Sequence, residues 1–469
     1  MSHWTFDIDE LAQATGGEIL SRGPELRYAV VTDSRKARPG DAFFALVGEK
    51  FDGHTFIPGV LAQPNTAVVG TGAGLGVLDP AHLAGHGVIR VGDTTSALGD
   101  VGHLVRTRRP IPLVAVTGSS GKTTTRELVR CALTAGYGQV FATRGNYNNL
   151  IGVPLTLMGL TQEFDAAVLE LGMSFPGEIR RLAQICTPDV RVITNVGRAH
   201  LDVLGDEDGV ARAKGELFET ARPGDVLVVN LDDERVARLS RPSGSRVVTF
   251  GRDHRADVHL RDEQRDGSFE IDVSGRMVRG YLHLPGAHNR LNAAAALAVA
   301  AALGIDVQKA ADQLVKADPP GMRMEVGEIR GVKVINDTYN ANPLSMKAGL
   351  VTALEMKGNS HRCHAALADM LELGPLSEAS HRELGQQVAT LGIDRVWLTG
   401  PHAEVVAEGA RQAGMPASHI QCFDSPLTLA DALGGALSPG DVLLVKGSRG
   451  MKMEQVVTSL RGDTQPAQG

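Results

Sequence analysis

Short apolar runs alternate with amphipathic segments through the middle of the chain. Five of these runs have the length of buried strands and lie at 113–117, 139–143, 165–170, 190–195 and 225–229. The segments between them place apolar residues at helical spacing over 122–135, 177–185 and 207–220. This alternation is typical of a parallel sheet with crossover helices. The middle of the chain is therefore predicted to be an α/β domain.

The pattern changes after this region. Residues 246–284 form short runs of alternating polar and apolar positions with Asp-Gly and Ser-Gly turns, which predicts an antiparallel appendage. An alanine-rich helix is predicted over 289–303. Because this helix is apolar on most of its faces, we expect it to be buried on most sides.

A smaller unit precedes the central one. It is predicted to contain a helix over 8–14 and strands over 28–32, 42–46, 67–69 and 88–91, separated by glycine-rich turns. A helix over 96–108 then leads into the central unit. The first unit is thus predicted to be a small α/β domain.

A further α/β unit ends the chain, with strands predicted at 332–336, 363–368, 395–399 and 441–445. Pro319-Pro320-Gly321 is the predicted boundary before it, because two prolines stop a helix and stiffen a linker. The fold class is therefore α/β with three domains. They are an N-terminal domain over 1–95, a central parallel-sheet domain over 96–318 and a C-terminal Rossmann-like domain over 319–469.

The composition of the chain argues against a nucleic-acid-binding protein and against a membrane-spanning protein. The 469 residues carry a net charge of −7 without a basic block, which argues against nucleic acid as a partner. No apolar run reaches the ~20 residues needed to span a bilayer, and the acidic start MSHWTFDIDE is not a signal peptide. The four cysteines are far apart and form no CxxC pair, which favours a reducing compartment. We expect a soluble, cytoplasmic protein.

The strand at 113–117 runs directly into a phosphate-binding loop. A glycine turn between a strand and a helix N-terminus directs free backbone N–H groups at an anion. Lys122 would reach the outer phosphates and the Thr123 hydroxyl would bind Mg²⁺. The alternative is a fortuitous glycine turn, since the longer P-loop pattern has a glycine where this chain has Val116. The predicted nucleotide-binding residues are Gly118, Ser119, Ser120, Gly121, Lys122, Thr123 and Thr124.

Other polar residues follow neighbouring strands. Glu170 ends one strand, and His200 follows another within Thr194-Asn-Val-Gly-Arg-Ala-His200. Ligands bind at the carboxyl ends of strands in open parallel sheets. Thr123, Glu170 and His200 could therefore hold two Mg²⁺ ions. The alternatives are a solvated strand end for Glu170 and an ordinary histidine for His200.

Three more groups are ambiguous by spacing alone. Ser34 and Arg35 follow a strand and form either a polar turn or a small anion or nucleotide site. Asn146 and Asn149 could cap a helix or bind carboxylates. Lys214, on a predicted helix, has the spacing of a surface charge.

Taken together, the motifs resemble those of the Mur ligases, ATP-dependent amide-forming enzymes of peptidoglycan synthesis. The resemblance covers essentially the whole chain, from Asp33-Ser34-Arg35 to Lys446-Gly-Ser-Arg449. The matching motifs are Thr117-Gly-Ser-Ser-Gly-Lys-Thr-Thr-Thr125, Gly145-Asn-x-Asn-Asn149, Glu170-Leu-Gly-Met173, Thr194-Asn-Val-Gly-x-Ala-His200, Lys214-Gly-Glu216, Gly286-x-His-Asn-x-x-Asn292, Asn336-Asp-x-Tyr-Asn-Ala-Asn-Pro343 and Ala368-Asp-Met-Leu-Glu-Leu-Gly374.

Within that family, Asp337-x-Tyr-Asn-Ala-Asn-Pro343 and Ala368-Asp-Met-Leu-Glu-Leu-Gly374 are most similar to the members that add D-alanyl-D-alanine to UDP-N-acetylmuramoyl-tripeptide. The Asp-Asn-Pro-Arg sequence typical of the preceding ligase in the pathway is absent. The resemblance implies a cytoplasmic, monomeric ligase that uses ATP and two Mg²⁺ ions. The alternatives are a family member that adds a single amino acid and, more distantly, a non-catalytic P-loop protein.

The resemblance also assigns roles to residues. It implies that Ser34 and Arg35 bind the UDP end of the substrate, and that Asn146 and Asn149 contact substrate. Lys122, Glu170, His200 and Lys214 would be catalytic, with Thr123 and Glu170 on the first Mg²⁺ and His200 on the second. Lys214 matches a lysine that is carbamylated in most Mur ligases and would bridge to the second ion. The resemblance further implies that Asn289 and Asn292 contact the adenine of ATP. It implies that Arg323, Asp337 and Asn340 contact the ribose and phosphates of ATP. Lys446, Ser448 and Arg449 would contact carboxylates or phosphates of the substrates.

Overall fold

The computed structural model describes residues 4–48, 50–318, 321–357 and 361–462. Within these residues the strands form three large sheets and one small hairpin, and helices pack on the sheets. The α/β fold predicted from the sequence is confirmed. The predicted boundary residues Pro319 and Pro320 lie outside the described residues.

The first unit contains β1 Thr5–Phe6, β2 Glu18–Arg22, β3 Tyr28–Val31, β4 Asp41–Phe44, β5 Val47–Gly48, β6 Phe51–Asp52, β7 Ala67–Thr71 and β8 Gly87–Val91. Its helices are α1 Ile8–Thr15, α2 Ile57–Leu61, α3 Gly72–Leu75, α4 Pro80–Leu83 and α5 Thr94–Arg108. The sheet order is β1-β3-β4-β7-β8-β2, with β3, β4, β7 and β8 parallel and the edge strands antiparallel. The four predicted strands and the first helix are confirmed to within two residues. The edge strand β2 was not predicted, because its exposed and half-buried positions carry few apolar side chains.

The central unit contains β9 Leu113–Thr117, β10 Val140–Ala142, β11 Ala166–Glu170, β12 Val190–Ile193, β13 Val226–Asn230, β14 Arg246–Gly251, β15 Val258–Glu263, β16 Ser268–Val273 and β17 Arg276–Tyr281. Its helices are α6 Lys122–Leu133, α7 Gly152–Leu157, α8 Glu178–Cys186, α9 Leu201–Leu204, α10 Glu207–Glu219, α11 Glu234–Arg238, α12 Ala287–Ala302 and α13 Val307–Gln313. The sheet order is β10-β11-β9-β12-β13-β14-β15-β16-β17. All five predicted strands and the three crossover helices are confirmed.

One prediction for this unit is partly wrong. Residues 246–284 were expected to be an antiparallel appendage, and β15, β16 and β17 do pair antiparallel. However, β14 pairs parallel with β13, and β15 pairs parallel with β14. The connection from β13 to β14 contains α11, which lets the chain return in the parallel direction. The antiparallel strands therefore extend the central sheet and do not form a separate appendage.

The central strands are buried on both faces. Leu113 and Ala115 of β9 face a core shared with α8 and α10, whereas Val114 and Val116 face a core shared with α6 and α12. Burial on both faces explains why these strands are continuous apolar runs in the sequence. Most residues of α12 are buried, as predicted for the alanine-rich helix.

Helix α5 packs on both of the first two units. Val101 and Val105 belong to the hydrophobic core of the first sheet. On the other side, a Cβ on Gly102 would lie 2.9 Å from the Pro154 Cα of α7. Arg106 Nε donates to the carbonyl of Cys186, and its Nη2 lies 3.0 Å from Asp189 Oδ2. Helix α5 therefore packs against the first unit on one side and against the central unit on the other.

The C-terminal unit contains β18 Glu325–Ile329, β19 Val332–Asp337, β20 Cys363–Ala368, β21 Arg395–Thr399, β22 Ile420–Phe423 and β23 Val442–Lys446. Its helices are α14 Pro343–Met356, α15 Ser377–Leu391, α16 Ala403–Gln412, α17 Pro426–Ala436 and α18 Glu454–Arg461. The sheet order is β18-β19-β23-β20-β21-β22, and only β18 is antiparallel. The four predicted strands are confirmed, and β18 and β22 are additional edge strands. No helix in the described part of the chain combines the length and apolar character needed to cross a bilayer.

A buried ion pair in the central unit leads to a stability prediction. Arg191 of β12 donates to Asp225 Oδ2 at 2.8 Å, to the Leu217 carbonyl and to the Thr220 hydroxyl, and it is buried. Arg191→Ala should lower the free energy of unfolding by about 3 kcal/mol, because it leaves a buried carboxylate without its main partner. The measurement is urea unfolding followed by circular dichroism.

The matched control is Arg238→Ala, which removes an ion pair with Glu234 in which both side chains are highly exposed. That change should leave the unfolding midpoint within error. Equal effects of the two substitutions would contradict the prediction.

Candidate active site

A cavity of about 710 Å³ lies between the central and C-terminal units. It is bounded by the loops that follow β9, β11 and β12 and by the loop that follows β19. The predicted site residues that line it are Ser119, Ser120, Gly121, Lys122, Thr124, Asn146, Asn149, Glu170, His200, Lys214, Asn289, Asn292, Arg323, Asp337, Asn340 and Lys446. Residues predicted from separate stretches of sequence therefore meet in one place.

The loop after β9 has the geometry of a phosphate-binding loop. Gly118 adopts a φ of 153°, and a Cβ there would lie 1.9 Å from the Thr194 hydroxyl oxygen. Gly121 adopts a φ of 78° and is the N-cap residue of α6, next to the Asn292 side chain. Only glycine satisfies both the backbone angle and the close approach at these positions. The first turn of α6 points backbone N–H groups without intrahelical partners toward the cavity.

Residues after β12 hold this loop in place. Ser120 donates its backbone N–H to Asn195 Oδ1 at 2.9 Å, and Thr194 donates its hydroxyl to the Ser120 carbonyl at 2.7 Å. The Ser119 hydroxyl is buried and donates to the Gly197 carbonyl at 3.0 Å. The side chain of Ser119 thus braces the loop, so that any contact it makes with a nucleotide would come from its backbone.

Lys122 folds back over the loop. Its Nζ donates to the Gly118 carbonyl at 2.8 Å. Burial lowers the pKa of Lys122, the Arg323 charge lowers it further, and the Glu170 carboxylate opposes the shift. The ammonium therefore gains from an anionic ligand that would compensate for its lost hydration.

The residues around Glu170 fit a divalent cation. Glu170 is 2% exposed; its Oε1 accepts from Asn148 Nδ2 at 2.8 Å, while Oε2 has no hydrogen-bond partner among the described residues. An unpartnered buried carboxylate oxygen is costly, and a cation would satisfy it. Thr123 is also buried but does not line the cavity. Hydroxyl and carboxylate oxygens are the ligands that Mg²⁺ prefers.

His200 is the N-cap residue of α9 and lies at the cavity wall. Its Nδ1 lies 2.7 Å from Oε2 of Glu372, a residue of the C-terminal unit. A histidine whose Nδ1–H is bound to a carboxylate keeps its Nε2 lone pair for a metal. This arrangement is compatible with the ligand role predicted for His200.

Lys214 is not a surface charge, contrary to what its spacing indicated. It lies on α10, is 2% exposed and lines the cavity. Its Nζ has no hydrogen bond or ion pair within the described residues. Burial and the charge of Lys122 together hold the pKa of Lys214 well below its usual value. The amine is therefore driven toward its neutral form, which is the nucleophilic form.

The buried asparagines of α12 form another wall of the cavity. Asn292 Nδ2 donates to Asn289 Oδ1 at 3.1 Å, and Asn289 Nδ2 donates to the Pro285 carbonyl. Nearby, burial lowers the pKa of His288 to about 4. His288 lines the cavity but was not among the predicted site residues, although it stands inside the Gly286-x-His288-Asn289 motif.

The C-terminal unit contributes charged residues from three places: Arg323 precedes β18, Asp337 ends β19 and Lys446 ends β23. The Arg323 guanidinium lies 3.9 Å from the centre of the Tyr339 ring. Asp337 Oδ2 accepts from Lys446 Nζ at 2.6 Å, and Lys446 also donates to the Asn340 carbonyl at 2.9 Å. Lys446 is 1% exposed. Lys446 lines the cavity while bonded to Asp337 and Asn340, and its substrate role stays a prediction.

Two family models match the chain. The Mur ligase middle domain matches residues 116–300, and the Mur ligase, glutamate ligase domain matches residues 322–449. Over 464 residues the chain is 36% identical to the UDP-N-acetylmuramoyl-tripeptide–D-alanyl-D-alanine ligase of Synechocystis sp., covering 97% of both chains. The chain belongs to the Mur ligase family.

Solved structures agree with this assignment. The Mur ligase superposes on a MurF crystal structure from Acinetobacter baumannii with a TM-score of 0.89 and 32% identity, covering 98% of this chain and 100% of that one. A MurF ligase from Thermotoga maritima in complex with ADP has a TM-score of 0.80 and 29% identity, covering 93% and 97% of the two chains. The agreement extends over all three sheet units.

Some predicted site residues of the Mur ligase are not among the residues that line the cavity. Arg35 pairs with Asp33 on the first unit, at 2.9 and 3.0 Å, and Ser34 shares that turn. Ser448 is buried and accepts from the Leu371 backbone, and the Arg449 guanidinium lies 3.3 Å from Glu454. Ser34, Arg35, Ser448 and Arg449 do not line the cavity, and their substrate roles stay predictions.

The loop that contains Asn146, Asn148 and Asn149 has two functions in the structure. Asn149 accepts from the backbone of Ile151 and Gly152 at the start of α7, which is the capping alternative. It also lines the cavity together with Asn146. Asn148, which was not among the predicted site residues, positions Glu170. Its signal in the sequence was the density of asparagines in this loop.

The close approach at Gly118 leads to a binding prediction. Gly118→Ala should weaken ADP binding by at least about tenfold, because relieving the contact with Thr194 displaces the loop at a cost of 1–3 kcal/mol. Isothermal titration calorimetry measures the change. Gly177→Ala is the control, since Gly177 also has a positive φ, of 87°, but open space around its Cβ position. Equal affinities for the two variants would contradict the proposed role of the loop.

Proposed function

We propose that this Mur ligase joins D-alanyl-D-alanine to UDP-N-acetylmuramoyl-tripeptide. ATP is converted to ADP and phosphate, and the product is the pentapeptide precursor of peptidoglycan. The observation that carries the proposal is the 36% identity to a ligase of that name over 97% of both chains. The cavity supports it, because a phosphate loop, a buried carboxylate and charged residues of the next unit line one space.

The chemistry follows from what an amide bond requires. A carboxylate is a poor electrophile, so the terminal carboxylate of the tripeptide first attacks the γ-phosphorus of ATP to give an acyl phosphate. Lys122 and the first-turn N–H groups of α6 stabilise the charge on the transferring phosphoryl group. The neutral amine of D-alanyl-D-alanine then attacks the acyl carbon, phosphate leaves, and the nitrogen loses a proton as the amide forms. The cleft between the two units limits the access of water to the acyl phosphate.

Glu170 and Thr123 would hold one Mg²⁺, and His200 the other. When bound, Mg²⁺ would neutralise the phosphate oxygens during transfer. Lys214 would act as a carbamate, because its neutral amine can add to CO₂ with release of a proton, and the resulting anion can bind a cation that an ammonium would repel. The buried position of Lys214 and its lowered pKa support this role.

Asn289 and Asn292 would contact adenine, and Arg323, Asp337 and Asn340 the ribose and phosphates. The first unit, predicted as domain 1–95, would bind the UDP end through Ser34 and Arg35. The central domain 96–318 would bind ATP, and domain 319–469 would complete the cleft. The enzyme would act in the cytoplasm as a monomer.

The competing assignment is a Mur ligase that adds a single amino acid. We expect ADP release from ATP and UDP-N-acetylmuramoyl-tripeptide to depend on D-alanyl-D-alanine. Free diaminopimelate, lysine or glutamate should give no more than the background rate. Stimulation by a free amino acid alone would overturn the proposal. A Lys122→Ala variant serves as the catalytically inactive control.

The role of Lys214 gives a further prediction. Lys214→Ala should lower kcat by at least about tenfold, and short carboxylic acids such as acetate should restore part of the rate by replacing the carbamate. The steady-state rate with and without acetate is the measurement. Arg212→Ala, an exposed change on the same helix, should leave the rate unchanged and unaffected by acetate. A fully active Lys214→Ala enzyme would exclude the carbamate role.

A further inference from the structure

The central and C-terminal units meet at a close backbone junction beside the cavity. Leu201 donates its backbone N–H to the Glu372 carbonyl at 2.9 Å. A Cβ on Gly374, which has a φ of 52°, would lie 3.0 Å from the Asp202 Cα. These contacts join the segment 200–202 of the central unit to the segment 372–374 of the C-terminal unit.

The side chains at this junction are paired as well. His200 Nδ1 lies 2.7 Å from Glu372 Oε2. Both residues have positive φ angles, 55° for His200 and 63° for Glu372. Such angles are uncommon for residues other than glycine and persist where surrounding contacts impose them. The backbone bond and the side-chain bond between the same two segments are contacts of that kind.

The pairing determines which nitrogen of His200 can bind a metal. With Nδ1–H donated to a carboxylate, Nε2 carries the lone pair. His200 also lies at the cavity wall, so Nε2 is the nitrogen available there. The residue that selects this tautomer belongs to the other unit of the protein.

We propose that Glu372 is a positioning residue for His200, so that the second metal site is complete only when the C-terminal unit is docked. This inference rests on the proposed function, in which His200 binds the second Mg²⁺. The inference goes beyond the assignment of His200 as a ligand. A residue of the C-terminal unit orients a metal ligand that belongs to the central unit, on the opposite wall of the cavity. The Ala368-Asp-Met-Leu-Glu372-Leu-Gly374 motif then acts on the metal site indirectly, through the contact of Glu372 with His200.

A second contact between the same units provides a matched control. Arg198 Nη1 lies 2.6 Å from Glu383 Oε2, which also joins the central and C-terminal units but does not touch His200. If Glu372 only helped the two units to dock, removing Glu383 should have a similar effect. If Glu372 orients His200, only its own removal should weaken the metal site.

The test counts bound Mn²⁺ by electron paramagnetic resonance with a nonhydrolysable ATP analogue and UDP-N-acetylmuramoyl-tripeptide. We expect two Mn²⁺ ions on the wild-type enzyme. Glu372→Ala should weaken the second ion by at least about tenfold and leave the first unchanged. Glu372→Gln, whose amide oxygen can still accept from Nδ1–H, should stay within about threefold of wild type. Glu383→Ala should bind both ions normally.

Steady-state kinetics provide an independent test of the role of Glu372. Glu372→Ala should raise the Mg²⁺ concentration needed for half-maximal rate by a similar factor, with the KM for D-alanyl-D-alanine unchanged. Two normal Mn²⁺ sites in Glu372→Ala, or equal weakening in Glu383→Ala, would overturn the inference while leaving the proposed function intact. A single Mn²⁺ ion on an active wild-type enzyme would overturn both the inference and the two-metal assignment. Loss of the D-alanyl-D-alanine dependence in the wild type is the separate outcome that defeats the proposed function.

Discussion

The rest of the site depends on the hydrogen bonds by which the loop after β12 holds the phosphate-binding loop after β9. Thr194 and Asn195, which directly follow the neighbouring strand β12, bond to Ser120 and help to hold the loop after β9 with its backbone toward the cavity. Parallel pairing of β9 with β12 brings these two loops to the same sheet edge. The same edge receives Glu170 from β11. The order of the parallel strands thus places the phosphate loop, its brace and the buried carboxylate within one cleft.

Much of this could be predicted from the sequence because the signals are local. Strands buried on both faces are continuous apolar runs, and Gly118-Ser-Ser-Gly121-Lys122 between a predicted strand and a predicted helix indicates a phosphate loop. Lys214 shows the limit of such reasoning. Its spacing indicated a surface position, and only the family resemblance pointed to the site where the structure buries it. Helical periodicity cannot distinguish solvent from the wall of a cleft formed by another part of the chain.

The features that could not be predicted join residues far apart in the chain. Nothing local to His200 indicates that its partner is Glu372, and nothing local to Lys446 indicates that Asp337 will neutralise it. The parallel pairing of β14 was missed for a related reason, since strand direction depends on the path of the connecting chain and not on the strand's own pattern. Exposed edge strands such as β2 lack the apolar residues that identify a strand.

The packing of α5 has a mechanical consequence. Val101 and Val105 are buried in the first unit while Arg106 is bonded to the central one, so rotating one unit against the other would expose apolar side chains worth roughly 1.5–3 kcal/mol each. The contacts of α5 therefore hold the first and central units in one relative orientation in this structure. Under the proposed function, the turn that carries Ser34 and Arg35 would be held at one distance from the phosphate loop, and that distance would have to match the length of the nucleotide-sugar substrate.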